Sequence, residues 1–377
     1  MTPLRLIEDG AILEVVLGGG PVRFHALWLR DNARDDQTRS PSNGQRLITL
    51  LDIPAETRIA YAAWTGGALS LRFEPEGKRV EFDPDWLLSH AYDRPRAEDI
   101  GWTGPQVTRW DAASGATLPV EAYDAVRDDK TARRRWLAAV RRHGFARLTG
   151  APTSEGMVAE VAAWFGHVRE TNYGRIFDVR AEVNASNLAY TNLGLQAHTD
   201  NPYRDPAPGL QILACLRNSV EGGGSVLVDG FEAARRLQAE SPDAFSLLTR
   251  HCARFDYSGS AGVRLRSKRP LLELGPDGEL LAVRFNNRSA APFVDIPFEA
   301  MADYYAAYRR LAELIEDPAL CLRFRLDPGD LFIVDNMRVL HARDAFTSGG
   351  DRWLQGCYAD KDGLLSSLAA LEEESAK

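Results

Sequence analysis

Apolar positions recur in short runs along most of this chain, and few stretches repeat with helical spacing. In residues 1–95 the run Ala11 to Leu17 reads as a strand. Ser70 to Phe73 is placed to pair with Arg79 to Phe82 across Glu-Pro-Glu-Gly-Lys. Residues 96–120 contain Pro and Gly with weak periodicity, which predicts a linker. A helix carrying Trp136, Leu137 and Val140 follows, with Gly144 placed to end it and Phe145 to Leu148 continuing as a strand. Strand candidates then recur at 209–216, 224–228, 270–274, 280–285, 321–326, 331–334 and 352–359, with Pro276-Asp277-Gly278 as a hairpin turn. A second helix is expected over 297–316, on Phe298, Met301, Tyr305, Tyr308, Leu311 and Ile315, closed by Pro318. Many short strands with few helices predict a mainly β fold with flanking helices (α+β). The expected architecture is a double-stranded β-helix, or jelly roll, over 121–377 behind a small N-terminal β domain.

Composition narrows the classes of function. The chain has 377 residues and a net charge of -8, from 53 acidic and 45 basic side chains, which gives no electrostatic case for nucleic acid. Its basic clusters, Arg133-Arg134-Arg135 and Arg141-Arg142, fall on the first helix and read as a solvated face. The N-terminus lacks a signal-peptide core, and no apolar run approaches the ~20 residues of a membrane span. Cys215, Cys252, Cys321 and Cys357 are scattered without CxxC spacing, which suits a reducing cytoplasm rather than a disulfide scaffold.

The candidate chemistry lies in His198-Thr199-Asp200 and a remote histidine, His341. On an extended strand, side chains at i and i+2 share a face, so His198 and Asp200 can reach one ion. Two imidazoles and one carboxylate suit Fe(II) and leave coordination positions open for O2 and a cosubstrate. Taken separately, His-Thr-Asp also suits a surface turn and His341 a buried, hydrogen-bonded histidine. Arg352, eleven residues after His341, adds a planar cation able to bind the far carboxylate of 2-oxoglutarate. Gly222-Gly223-Gly224-Ser225 reads as a turn that admits close backbone, with Ser225 as a second donor to that carboxylate.

From Tyr173 to Asp360 these motifs resemble the γ-butyrobetaine hydroxylase and trimethyllysine hydroxylase family of Fe(II)/2-oxoglutarate oxygenases. The stretches that carry the resemblance are Asn187-Leu-Ala-Tyr190-Thr, His198-Thr-Asp200-x-Pro202, Pro208-Gly-Leu-Gln211 and Gly222-Gly-x-Ser225-x-x-Val228-Asp-Gly230. Phe285-Asn-Asn287, Pro328-Gly-Asp330, Asp335-Asn336-x-Arg338-x-Leu340-His341 and Leu354-x-Gly-x-Tyr358-Ala-Asp360 continue it, and Trp28-Leu-Arg-Asp-Asn32 matches the family's small N-terminal domain. The resemblance implies a homodimer acting on a small zwitterion, with Tyr173, Phe177, Tyr190 and Tyr358 as an aromatic box for a trimethylammonium group. Asp178 would add negative charge there, and Asn187 and Asn287 would bind the substrate's anion. Where the family carries three zinc-binding cysteines, this chain has Ala33, Asp35 and Thr38, and only His90 remains, so no zinc is expected. Arg288, and Asn201 in place of a tyrosine, suit an anion bulkier and more charged than a carboxylate. That pattern resembles the bacterial branch of the family that hydroxylates 2-trimethylaminoethylphosphonate beside phosphorus. γ-Butyrobetaine hydroxylation is the nearest alternative, and a non-catalytic quaternary-amine binding protein is the alternative from another class.

Overall fold

The computed structural model describes residues 3–93, 104, 106–117, 119–180, 192–259, 261–347 and 350–376. The chain divides into two compact units, Met1–Ala97 and Glu98–Lys377. In the first, the strands Leu4–Ile7, Ile12–Leu17 and Gly20–His25 form one antiparallel sheet, and Arg58–Thr65, Ala68–Glu74 and Arg79–Phe82 form another. Alternation puts Leu13, Val15 and Phe24 from one and Leu69, Leu71, Phe73 and Phe82 from the other into a shared core. Around the positions where the resemblance would place thiolates, charged pairs are found instead. Arg30 forks onto Glu76 at 2.7 and 2.8 Å and reaches Thr38, while Lys78 meets Asp35 at 2.8 Å. His90 stacks on Trp86, ring centroids 4.2 Å apart, with Nδ1 held by the Trp86 carbonyl.

The second unit is built on two facing sheets. The larger runs in the order Phe177–Val179, Arg352–Ala359, Leu210–Asn218, Leu331–Asp335, Phe145–Thr149 and Val120–Ala122, with Val168–Arg169 also paired to Arg352–Ala359. The smaller runs Leu195–His198, Val339–Arg343, Ser225–Asp229 and Cys321–Phe324. Both faces of the larger sheet are covered, so its central strands are apolar almost throughout rather than alternating. Leu210, Ile212 and Ala214 turn outward onto helices, while Leu213 and Cys215 turn inward to meet Phe332, Leu354, Leu227 and Val339. The smaller sheet directs Val226, Val228 and Leu340 outward against the helices Gly230–Glu240, Pro242–Arg250 and Met301–Glu316. Its inward positions, including His341, face the other sheet.

The first predicted helix is Lys130–His143, capped by the Asp129 carboxylate on the amides of Thr131 and Ala132. Gly144 ends it at φ 76°, where a Cβ would stand 2.7 Å from the Val339 side chain, so only glycine fits. Its basic residues are not simply solvated: Arg141 binds Glu372 and Lys130 binds Glu374 of the C-terminal helix Lys361–Ser375. The second predicted helix is Met301–Glu316, but its buried face is Tyr304, Ala307, Leu311, Leu314 and Ile315. Leu311 and Ile315 are buried as expected and Met301 and Tyr308 pack against the core, but Phe298, which precedes the helix, and Tyr305 are 91% and 52% exposed. The expected linker is also partly structural. Thr108 N donates to the Arg142 carbonyl, and buried Trp110 donates its backbone N–H to Asp229 at 3.0 Å.

Candidate active site

The two histidines arrive on neighbouring strands in direct register, His198 opposite His341. Asp200 lies two residues past the end of the Leu195–His198 strand, not on it as the i, i+2 reading expected, and its backbone is held by one side chain. Asn336 accepts from Asp200 N–H at 2.7 Å and donates to the Asp200 and Pro208 carbonyls. His198 Nε2 lies 3.3 Å and His341 Nε2 3.8 Å from Asp200 Oδ1. One ligand atom from each residue falls within 4.8 Å of the others, the only such group among the described residues.

Local hydrogen bonds prepare these groups for a cation. The Gln196 carbonyl lies 2.8 Å from His198 Nδ1, which fixes the proton there and leaves the Nε2 lone pair facing Asp200. Burial pushes His341 down to about 3, helped by His198, so its imidazole is neutral as a metal ligand must be. Burial alone would raise the Asp200 carboxyl, but the imidazoles of His341 and His198 and the Tyr358 hydroxyl hold it below the usual carboxylate range. The donor set therefore fits Fe(II): two imidazole nitrogens and one ionised carboxylate oxygen lining one cavity.

Arg352 is buried, and its partners carry no negative charge: the Gly223 carbonyl at 3.4 Å and the face of the Phe346 ring at 5.4 Å. No carboxylate among the described residues pairs with it, its Nε lacks a hydrogen bond, and burial lowers its pKa to about 10. An uncompensated buried guanidinium is costly, and a carboxylate ligand would relieve it. Gly223, at φ 67°, leaves room for this side chain; a Cβ there would stand 3.1 Å from Arg352 Nε. Gly222 lies so close to the Ala345 carbonyl that its Cβ would fall 2.4 Å from the oxygen. The Gly-rich turn thus has the close backbone approach its sequence predicted, and buried Ser225 lines the same cavity.

That cavity has a volume of about 430 Å³, enough for a small cosubstrate and substrate. Tyr173, Phe177 and Tyr358 line it, together with Asn201 and Arg288. Asn201 adopts φ 52°, a left-handed conformation that asparagine tolerates well. Its Oδ1 accepts from the Tyr203 hydroxyl, and its buried Nδ2 has no partner. Asn187 and Tyr190 lie outside the described residues.

Two expected contacts are not brought to the cavity. Asp178 lies between Phe177 and Val179 on a strand, so it points to the opposite face, where it accepts from Trp353 Nε1 at 2.6 Å and Gln355 Nε2 at 3.1 Å. Asn287 is exposed, donating to Gln196 Oε1 and accepting from the Tyr308 hydroxyl, while its neighbours Asn286 and Arg288 line the cavity. The structure adds residues that sequence spacing did not assign, namely Tyr203, Tyr257, Gln211 and Arg343. Tyr203 stacks on Tyr257 at 4.9 Å and bonds Tyr173 through its hydroxyl at 2.7 Å. Arg343 had a legible signal: it stands two positions after His341, on the same strand face.

Facing sheets, an iron-type triad and a buried cation beside it define an Fe(II)/2-oxoglutarate dioxygenase. Residues 106–358 match the family model described as taurine catabolism dioxygenase TauD, TfdA family, and the chain belongs to that family. It is 38% identical over 351 residues to the γ-butyrobetaine dioxygenase of Pseudomonas sp. (strain AK-1), covering 93% of this chain and 90% of that one. Human γ-butyrobetaine dioxygenase is 30% identical, covering 93% and 91%, and rat mitochondrial trimethyllysine dioxygenase is 29% identical, covering 95% and 85%. The protein is therefore an enzyme, and the non-catalytic binding alternative is set aside. Among the described residues, no helix is long and apolar enough to cross a membrane.

Proposed function

We propose that this dioxygenase hydroxylates a short zwitterion bearing a trimethylammonium group, with γ-butyrobetaine as its substrate. One observation carries the reading: a single cavity joins the triad, a buried Arg352 without a carboxylate, and walls of tyrosine and phenylalanine. The named relatives act on γ-butyrobetaine or trimethyllysine, both trimethylammonium compounds, which supports the choice.

His198, Asp200 and His341 would hold the iron, and Arg352 with Ser225 would take the far carboxylate of 2-oxoglutarate. When bound, iron and cosubstrate supply the oxidising chemistry: one oxygen atom of O2 enters a C–H bond and the other enters succinate, with release of CO2. The rest is placement. A quaternary cation cannot accept or donate hydrogen bonds, so the faces of Tyr173, Phe177, Tyr203, Tyr257 and Tyr358 are suited to receive it. Asn201, with its buried amide N–H groups unpaired, and Arg288 are suited to the substrate's anion. Holding both charged groups selects one C–H bond for reaction.

A second reading replaces the carboxylate with a phosphonate, as in 2-trimethylaminoethylphosphonate. The observation favouring it is that the Arg288 guanidinium lines the cavity, near enough to His341 to help depress its pKa. Arginine matches a multiply charged tetrahedral anion well. Purified enzyme with Fe(II) and 2-oxoglutarate is given each compound, and succinate and hydroxylated product are measured for wild type and Arg288→Ala. A higher kcat/KM for γ-butyrobetaine supports the first reading. Preference for the phosphonate, lost in Arg288→Ala, replaces it with the second. No stimulation by either compound refutes the trimethylammonium proposal and leaves the dioxygenase class intact. The expectation of a cytoplasmic homodimer belongs to this proposal and is checked by cell fractionation and light scattering.

A further inference from the structure

The Asp200 carboxylate is gripped from behind by two donors that are themselves paired residues. Gln211 and Tyr358 are direct partners in the register between the Leu210–Asn218 and Arg352–Ala359 strands. Tyr358 donates its hydroxyl to Asp200 Oδ2 at 2.8 Å, and the Gln211 amide donates to the same oxygen. Oδ1 is the oxygen nearest both imidazoles. With Oδ2 carrying two hydrogen bonds, Oδ1 is the oxygen available to a metal, and the carboxylate cannot rotate without breaking both bonds.

The same tyrosine belongs to the aromatic wall. Its ring centroid lies 5.0 Å from that of Phe177. Gly356 leaves space for that Phe177 ring, since a Cβ there would fall 2.5 Å from it. Anything seated against these rings presses on a residue whose hydroxyl holds an iron ligand. Gln211 is anchored at one end only: its buried Oε1 has no hydrogen-bond partner, and the residue lines the cavity. Its amide can therefore respond to an occupant without losing a second bond.

We propose that Tyr358, with Gln211 beside it, is a positioning residue that holds Asp200 as a one-oxygen ligand and transmits occupancy of the aromatic wall to the metal. The first half rests on geometry alone, and the second half rests on the trimethylammonium reading above.

Tyr358→Phe keeps the ring and removes only the hydroxyl; Gln211→Met keeps the volume and removes the donor. Metal affinity is measured by anaerobic calorimetric titration with Fe(II). The visible spectrum of the Fe(II)·2-oxoglutarate complex is recorded before and after adding γ-butyrobetaine or 2-trimethylaminoethylphosphonate. Each variant is expected to bind Fe(II) about tenfold more weakly, the lower end of what losing a partner of a metal ligand costs. Tyr358→Phe is expected to keep substrate affinity while losing most of the substrate-induced spectral change, and in air to form more succinate than hydroxylated product. Wild-type Fe(II) affinity together with an intact spectral change in Tyr358→Phe would overturn the proposal. If that variant does not fold, Gln211→Met decides the question by the same two measurements. A wild-type enzyme whose spectrum responds to neither compound would count against the substrate reading, and the Fe(II) titration would still decide the positioning role.

Discussion

Arg352 sits in the interior with no opposing carboxylate among the described residues, an arrangement that costs stability until an anion arrives. Arg352→Met should therefore leave the cosubstrate-free protein as stable as wild type or more so, while 2-oxoglutarate no longer raises its melting temperature. Thermal melts with and without 2-oxoglutarate check both halves. His143 gives a pH prediction. Burial, aided by Arg338 and Arg142, lowers its pKa in the folded chain below the ordinary value of about 6.5. The unfolded chain then binds more protons below that pH, so stability falls as pH drops through the window and is unaffected above it. Urea titrations at pH 7 and pH 5 should show a smaller loss for His143→Gln than for wild type.

Much of the site was legible at this scale because side-chain spacing encodes direction on a strand. His198 and Asp200 were paired by their i, i+2 spacing, although Asp200 lies past the end of its strand; His341 and Arg352 were picked out by residue type and the eleven-residue separation between them. The same alternation argues against Asp178 once Phe177 is assigned to the cavity, since neighbours on a strand face opposite ways. Tyr257 carried no comparable signal: it reaches the cavity only because its strand packs beside Tyr203.

Among the elements, glycines decide which neighbour can approach. The backbone at Gly223 leaves room for Arg352, and Gly356 leaves room for Phe177. Gly223→Ala should weaken 2-oxoglutarate binding about tenfold, on the order of 1.4 kcal/mol, by crowding the guanidinium and straining a left-handed residue. Gly356→Ala should instead displace the Phe177 ring and raise KM for the quaternary-ammonium substrate. Separate titrations of the two ligands test whether the effects divide this way; equal losses for both ligands in both variants would refute it. The element boundaries show where periodicity misleads. Phe298, Met301, Tyr305, Tyr308, Leu311 and Ile315 suggested the buried face of a helix; Leu311 and Ile315 are buried, but Phe298 and Tyr305 are exposed and Tyr304, Ala307 and Leu314 complete the packed face. Several aromatic residues in one helix permit more than one apolar stripe, and the neighbouring helices Gly230–Glu240 and Pro242–Arg250 select between them.

For the catalytic unit as a whole, the buried pair of Arg338 and Asp229 ties distant segments together. Its side chains are 2% and 0% exposed; Arg338 also donates to the carbonyls of Arg142 and Thr108, and Asp229 accepts from Trp110 and Phe231. Arg338→Met should cost about 3–5 kcal/mol, because Asp229 keeps its charge with its main partner gone. Urea unfolding measures that loss, and a value within about 1 kcal/mol of wild type would show that the pair is replaceable.

By itself the sequence determined the class of chemistry and the mainly β architecture, and it offered the residues suited to iron and to 2-oxoglutarate. Those properties follow from residue type and from short spacings along the chain, both local. Which aromatic rings and amides share the cavity was decided only by tertiary structure. Gln211 lies on the larger sheet, Tyr257 on the strand Cys252–Tyr257 of a separate sheet, and Tyr203 and Asn286 outside any strand, so they meet only through the packing of distant segments. Packing across that interior depends on register and layer contacts, which no local pattern of residues specifies.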